Sequence, residues 1–174
     1  MQSTFKKIRK HLIIKLFEKS QNFYVKYFKK DKIAWNITKQ ELLTYSKDTL
    51  GYQYIQFIIK NNFEILPKLE RHDAYHIITG YKSKVQDEIA LQYLCFGNGK
   101  CSIYLFGVII LGTILLPDYF TYYCQSYRIG KQANPFYNLD YEKLLVTNLE
   151  EIQTVIFSKK LQILINNKRI IEHQ

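Results

Sequence analysis

Cysteine is scarce: the chain has three, Cys95, Cys101 and Cys124, with no CxxC pair and no even-numbered framework. That excludes a disulfide-stapled scaffold and an iron–sulfur centre, and points to a reducing compartment, the cytoplasm. No glycine-rich dinucleotide loop is present either, so any oxidation must draw on oxygen directly or on a partner. With four histidines in all, a phosphohydrolase of the His-Asp type is short of ligands. No internal repeat or low-complexity stretch interrupts the chain. A bilayer-spanning run is also missing. Residues 101–117 carry no charge, but the nearly unbroken apolar part, residues 103–116, reaches only about 21 Å as a helix against a hydrocarbon core of roughly 30 Å. A buried central helix is therefore expected there. No secretory signal is expected either, since Lys15 breaks the N-terminal apolar run after three residues and no small-residue cleavage site follows.

What is present is greasy and, at one end, basic. The hydrophobic fraction is 47%, and 15 Tyr with 11 Phe demand a core, a partner or lipid to cover them. At 174 residues the chain suits one domain. Residues 1–32 hold ten basic side chains against Glu18 and Asp31, a net +8 that leaves only +2 of the chain's +10 for the rest. Charge gathered in one segment argues against wrapping nucleic acid. Within it, Phe5, Ile8, Leu12, Leu16 and Lys19 recur at helical steps, widened by Ile13 and Phe17, with Lys6, Lys7, Lys10 and Lys15 to the sides and back. Such a basic amphipathic helix lies on an anionic membrane surface or packs on the domain with its lysines solvated. The division expected is residues 1–33 as this segment and residues 34–174 as a compact helical domain.

Along that domain the signals are helical throughout, an all-α fold. Ser46 and Asp48 precede Tyr52, Ile55, Ile58 and Ile59, closed by Asn61 and Asn62. After Pro67 a helix is expected to run to Gly80, where glycine takes the left-handed terminal conformation. Another follows over residues 83–96, stopped by Gly97, Asn98 and Gly99. Gly107 and Gly112 in the apolar helix leave room beside it, so with Ile110 and Leu111 it is a candidate wall for a lipid tail. Residues 119–127 are rich in aromatics, residues 130–135 read as a boundary or loop, and Leu144, Leu145, Leu149, Ile152 and Ile156 sit at core spacing before a polar tail from Asn166.

His72 and His76 are four apart, which on a helix aims both imidazoles from one face at a single ion. If Gly80 turns the chain back, Glu88 on the next helix comes opposite them. Asp73 projects about 100° away and either completes the set or orients an imidazole. Two imidazoles and one or two carboxylates suit zinc or a similar divalent ion with a position left open. The alternative for the same spacing is a solvated or capping helix start. His11 and His173 lie in polar terminal segments and carry no site.

The stretch from His72 and Asp73 through Ala74, Tyr75 and His76, then eleven residues to Glu88, resembles the HDxxH(x11)E signature of the Coq4 family of ubiquinone biosynthesis proteins. Asp48, Thr49, Leu50, Gly51 and Tyr52 with Tyr54 and Phe57 resemble its TLGxxYxxF-like segment, and Asp87, Glu88, Ile89, Ala90 and Leu91 its GEIAL-like helix, with Asp87 where a small residue is usual. Gly130, Lys131 and Ala133, then Asp140, Tyr141, Glu142 and residues 149–152, are similar to its closing segment. The resemblance spans about residues 40–157 and leaves out the basic helix. It implies an all-helical fold, a zinc-type ion on the motif, a hydrophobic pocket for a polyprenylated ring, and peripheral attachment to a membrane. The activity it implies is removal of the ring C1 carboxylate from a polyprenyl hydroxybenzoate-type precursor, with hydroxylation at that carbon. It also implies a scaffolding role toward other quinone-biosynthesis proteins, and a carrier or scaffold without turnover is the competing expectation.

Overall fold

A computed structural model describes residues 4, 6–16, 27 and 33–171, with the side chains of 167–171 excepted. Among them there is no strand, and the one extended pairing is an isolated bridge between Thr49 and Asn148. The fold is all-α, as expected. The elements are α1 (residues 6–16), α2 (Lys39–Thr44), α3 (Leu50–Asn61), α4 (Glu70–Thr79), α5 (Val85–Gly97), α6 (Ile103–Leu115), the 3-10 turn η1 (Pro117–Tyr119), α7 (Phe120–Gln132), α8 (Leu149–Ile156) and α9 (Lys159–Ile171). They group into two compact units. One holds α1, α5, α6, η1 and α7 up to Lys131, and the other holds α2, α3, α4, α8 and α9.

The second unit is tied at two helix starts that satisfy one another. Thr49 caps α3 by accepting from the Tyr52 amide, and Asn148 caps α8 by accepting from the amides of Glu150 and Glu151. The Asn148 side-chain amide donates to Asp48 Oδ2 at 2.7 Å, the Leu149 amide to the Asp48 carbonyl at 2.8 Å, and the Leu50 amide to the Thr147 carbonyl at 2.9 Å. Gly51 lets these segments meet, because a Cβ there would stand 2.9 Å from the Leu145 carbonyl oxygen and strike the Tyr45 ring. Its own amide donates to that carbonyl at 2.8 Å. Leu50, Tyr54, Ile55 and Ile58 on α3 and Ile152 and Ile156 on α8 are buried. Asn62 ends α3 in the left-handed region, as expected of the asparagine pair. α2 was not anticipated; Thr38 opens it by accepting from the Glu41 amide.

In the first unit α5 and α7 cross with their backbones in contact. A Cβ at Gly97 would strike the Tyr127 carbonyl oxygen, and one at Gly130 the Leu94 carbonyl oxygen. Asn98 adds a hydrogen bond to the Gly130 carbonyl at 3.1 Å. Of the boundary or loop expected over residues 130–135, the division between the units after Lys131 and the end of the helix at Gln132 agree, while its first part is corrected, since α7 runs through Gly130 to Gln132. Here the glycine serves close approach rather than a turn. Asp87, buried at the front of α5, accepts from the Tyr122 hydroxyl at 2.8 Å.

The expectation of a buried central helix at α6 holds for one side and is corrected for the other. Leu105, Val108, Ile109 and Gly112 form a buried stripe, with Gly112 against Ile89, whereas Ile103, Ile110, Leu111 and Ile114 are exposed and nothing lies within 4 Å of a Cβ built on Gly107. Composition alone cannot separate these cases, because an apolar side chain reads the same whichever way it points. α1 behaves comparably. Ile13 is buried, while Ile8, Leu12 and Leu16 of its expected stripe are exposed; Phe5, Phe17 and Lys19 lie outside the described residues, as do most of residues 1–33 and His173. Arg9 pairs with Asp118 at 2.8 Å, and the Lys6 and Lys10 ammonium groups lie 4.4 and 5.0 Å from the Tyr119 ring centroid. No described helix is long and apolar enough to cross a membrane by itself.

Gly130→Ala is expected to destabilise the protein by about 1–3 kcal/mol through overpacking at the crossing, measured by chemical denaturation. Burial pushes the Cys95 thiol up to about 11, so an alkylating agent at neutral pH is expected to mark the exposed Cys101 and spare Cys95, read by peptide mass spectrometry.

Candidate metal centre

α4 starts at Glu70 without a side-chain cap, its first turn closed by the His72 amide on the Leu69 carbonyl at 2.8 Å. From there the 3.6-residue period sets His72 and His76 one turn apart on one side of the helix. His76 is 2% exposed and His72 half-buried. The helix ends at Gly80, whose φ of 65° is a left-handed conformation that most side chains would strain. That turn brings the Tyr81 carbonyl back to His76 Nδ1 at 3.0 Å. A carbonyl oxygen only accepts, so Nδ1 carries the proton and Nε2 of a neutral ring is left with its lone pair. Phe57 of α3 stacks on the other ring face, with centroids 5.6 Å apart and planes 15° from parallel. Hydrogen bond and stack together fix where Nε2 points.

His72 Nε2 lies 3.2 Å from His76 Nε2, with the ring planes at 90°. Two nitrogen lone pairs at that separation repel unless a proton or a cation sits between them. Two zinc–nitrogen bonds of about 2.0–2.1 Å at a near-tetrahedral angle hold their nitrogens about 3.3–3.4 Å apart, close to the spacing found. Each of His72, His76 and Glu88 offers one ligand atom, and the three lie within 4.8 Å of one another, a group able to hold a metal ion. Glu88 belongs to the first turn of α5.

Asp73 is outside this group of three. Its Oδ2 accepts from the Tyr54 hydroxyl at 3.3 Å, and burial first, then the charges of Asp73 and Glu70, raise the Tyr54 phenol far above its ordinary range. The phenol stays a proton donor toward Asp73. Glu70, buried in the same turn, accepts from the Trp35 amide at 3.2 Å. The lipid-wall candidates divide: Gly112 is packed on Ile89, Gly107 is open, and Ile110 and Leu111 are exposed. Sequence reasoning named neither Phe57 nor Tyr81 as part of the site. For Tyr81 the signal available was Gly80, because a left-handed residue four places after a histidine folds the next carbonyl toward the last turn.

Comparison with known proteins agrees with the motif. The model of the family described as coenzyme Q (ubiquinone) biosynthesis protein Coq4 matches residues 65–160, which include both histidines and Glu88. A curated relative, the mitochondrial ubiquinone biosynthesis protein COQ4 of Clavispora lusitaniae (strain ATCC 42720), is 28% identical over 130 residues, 62% of this chain. The chain spans 41% of that relative's length. A crystal structure of a candidate ubiquinone biosynthesis protein from Nostoc punctiforme PCC 73102 superposes with a TM-score of 0.60 at 18% identity, covering 85% of this chain and 80% of the other, which shows a shared fold.

Metal analysis of purified variants is expected to separate the roles. His76→Ala loses bound metal and Glu88→Ala loses more of it than Glu142→Ala does, whereas Tyr54→Phe retains it; equal metal in the two glutamate variants would remove Glu88 from the ligand set.

Proposed function

Because the chain belongs to the Coq4 family of coenzyme Q (ubiquinone) biosynthesis proteins, we propose that it acts in a metal-dependent removal of the C1 carboxylate from a polyprenylated hydroxybenzoate-type precursor at a membrane surface. The observation that carries this reading is the paired Nε2 atoms of His72 and His76 at 3.2 Å, with Glu88 in the same group of possible ligands. His72, His76 and Glu88 would hold a divalent ion, zinc or a close analogue, with Asp73 as a further ligand or as the group that orients the site from its hydrogen bond with Tyr54. Such an ion would supply Lewis-acid stabilisation of the charge that develops at C1 as carbon dioxide leaves. The Tyr81 carbonyl keeps His76 in its ligating tautomer and the Phe57 ring holds its plane, so little reorganisation accompanies binding. Hydroxylation at the same carbon draws its oxidant from dioxygen or from another quinone-biosynthesis protein, which is the partner class proposed.

The precursor's tail runs along the exposed side of α6, by Gly107, Ile110 and Leu111, with Gly112 on the opposite side packed on Ile89. Residues 1–33 are proposed as a membrane-binding segment ahead of the helical domain of residues 34–174. Support comes from α1, whose Ile8, Leu12 and Leu16 are exposed in a segment of net charge +8. The location proposed is cytoplasmic, peripheral at the cytoplasmic face of the membrane.

The test combines metal analysis with mass spectrometry of the organic extract from the same preparation, beside His76→Ala. Near-stoichiometric metal that the variant loses, together with a co-purifying polyprenyl acid, is the expected result. Metal-free protein that still carries lipid would overturn the catalytic reading and favour a carrier or scaffold.

A further inference from the structure

α6 contains no charged residue, and its exposed side is continuous. Ile103, Phe106, Ile110 and Ile114 recur at three- and four-residue steps, so they line one side of the helix, with Leu111 beside them. Ile103 is 80% exposed, Ile110 56% and Ile114 67%. Large aliphatic side chains left this open in a row mark a contact surface rather than the scattered exposure usual on proteins.

The chemistry at the end of this strip identifies what covers it. α6 leads into η1, and there Arg9 is paired with Asp118 while Lys6 and Lys10 lie over Tyr119. Cations from α1 are therefore held beside the C-terminal end of an uncharged, exposed helix. An anionic phospholipid surface matches both parts, with acyl chains for the isoleucines and phosphates for the ammonium groups. A second copy of the chain matches only one, because a strip set against itself offers the ammonium groups no acidic side chain: α6 has none, and Asp118 beside it is already paired with Arg9. By itself α6, with 13 residues, is too short to cross the bilayer, and the chain bends by 102° between it and the helix that follows.

We propose that α6 lies in the membrane interface with Ile103, Ile110 and Ile114 inserted among the acyl chains, while Lys6 and Lys10 meet lipid phosphates. This rests on the membrane reading above and deepens it by naming the face. The strip proposed to take the precursor's tail is then the one in the bilayer, so the tail is taken up without crossing water.

The test uses the full chain in flotation with phosphatidylcholine vesicles, with and without an anionic phospholipid. The double variant Ile110→Asp, Ile114→Asp changes two exposed positions and is compared with Ile163→Asp on exposed α9. Vesicle binding by the double variant is expected to fall about tenfold or more, with the Ile163 variant unchanged and metal content equal in all three. An independent reading comes from Ile110→Trp in a Trp35→Phe background, whose fluorescence bromine-labelled acyl chains should quench. If the wild-type chain binds vesicles and the double variant binds equally well, the α6 surface is overturned while the membrane reading stands. If the wild-type chain binds none, both fall. If the double variant instead converts a dimer to a monomer without altering flotation, a second copy covers the strip and the proposal is overturned.

Discussion

The hydrogen bond from His76 Nδ1 to the Tyr81 carbonyl is the contact on which the chemistry of this protein depends. It requires a helix that ends one turn after the histidine and a residue that then enters the left-handed region, which Gly80 provides at φ 65°. Once the proton is held at Nδ1, Nε2 has a defined direction and a defined electronic character. The stack with Phe57 removes the remaining rotation of a ring that is almost fully buried. His72, half-buried and one turn back, meets the His76 ring edge to face, so the pair consists of an enclosed inner nitrogen and a more accessible outer one.

Much of this was legible before the structure. The four-residue spacing of two histidines is a geometric statement once the segment is known to be helical, and the stop at Gly80 follows from the same reasoning. The helix caps were readable to within a few residues, because Thr49 and Asn62 sit where backbone donors and acceptors run out. What escaped had one physical cause: a residue type does not say what lies across from it. Gly130 looked like a loop residue because the signals for a chain break and for a close helix crossing are the same missing side chain. α6 looked buried because hydropathy counts apolar atoms and not their neighbours. Phe57 enters the site through tertiary packing and leaves no mark in the pattern, whereas Tyr81 enters through a backbone atom whose only signal is Gly80 before it.

The two corrections bear on function in opposite ways. At the α5–α7 crossing, glycine lets backbones touch and makes the first unit stiff around Asn98 and Gly130. Along α6, apolar side chains are left without protein neighbours, which in water is a standing cost that evolution normally removes. Within the first unit, then, a close-packed helix crossing and an uncovered apolar surface lie on neighbouring elements.

Asp48 and Asn148, joined side chain to side chain, are one hundred residues apart. The second unit is therefore discontinuous in the chain, with residues 82–131 inserted between its two parts. On the ribosome that insert is synthesised in full before Asn148 exists, so α3 and α4 must wait with their N-terminal donors only partly satisfied and their apolar faces half covered. The surroundings of His76 that the structure shows, the Phe57 ring and the Tyr81 carbonyl, are by contrast close to it in sequence and are made early, so the histidine pair can take its shape while the helix that carries it still waits for α8.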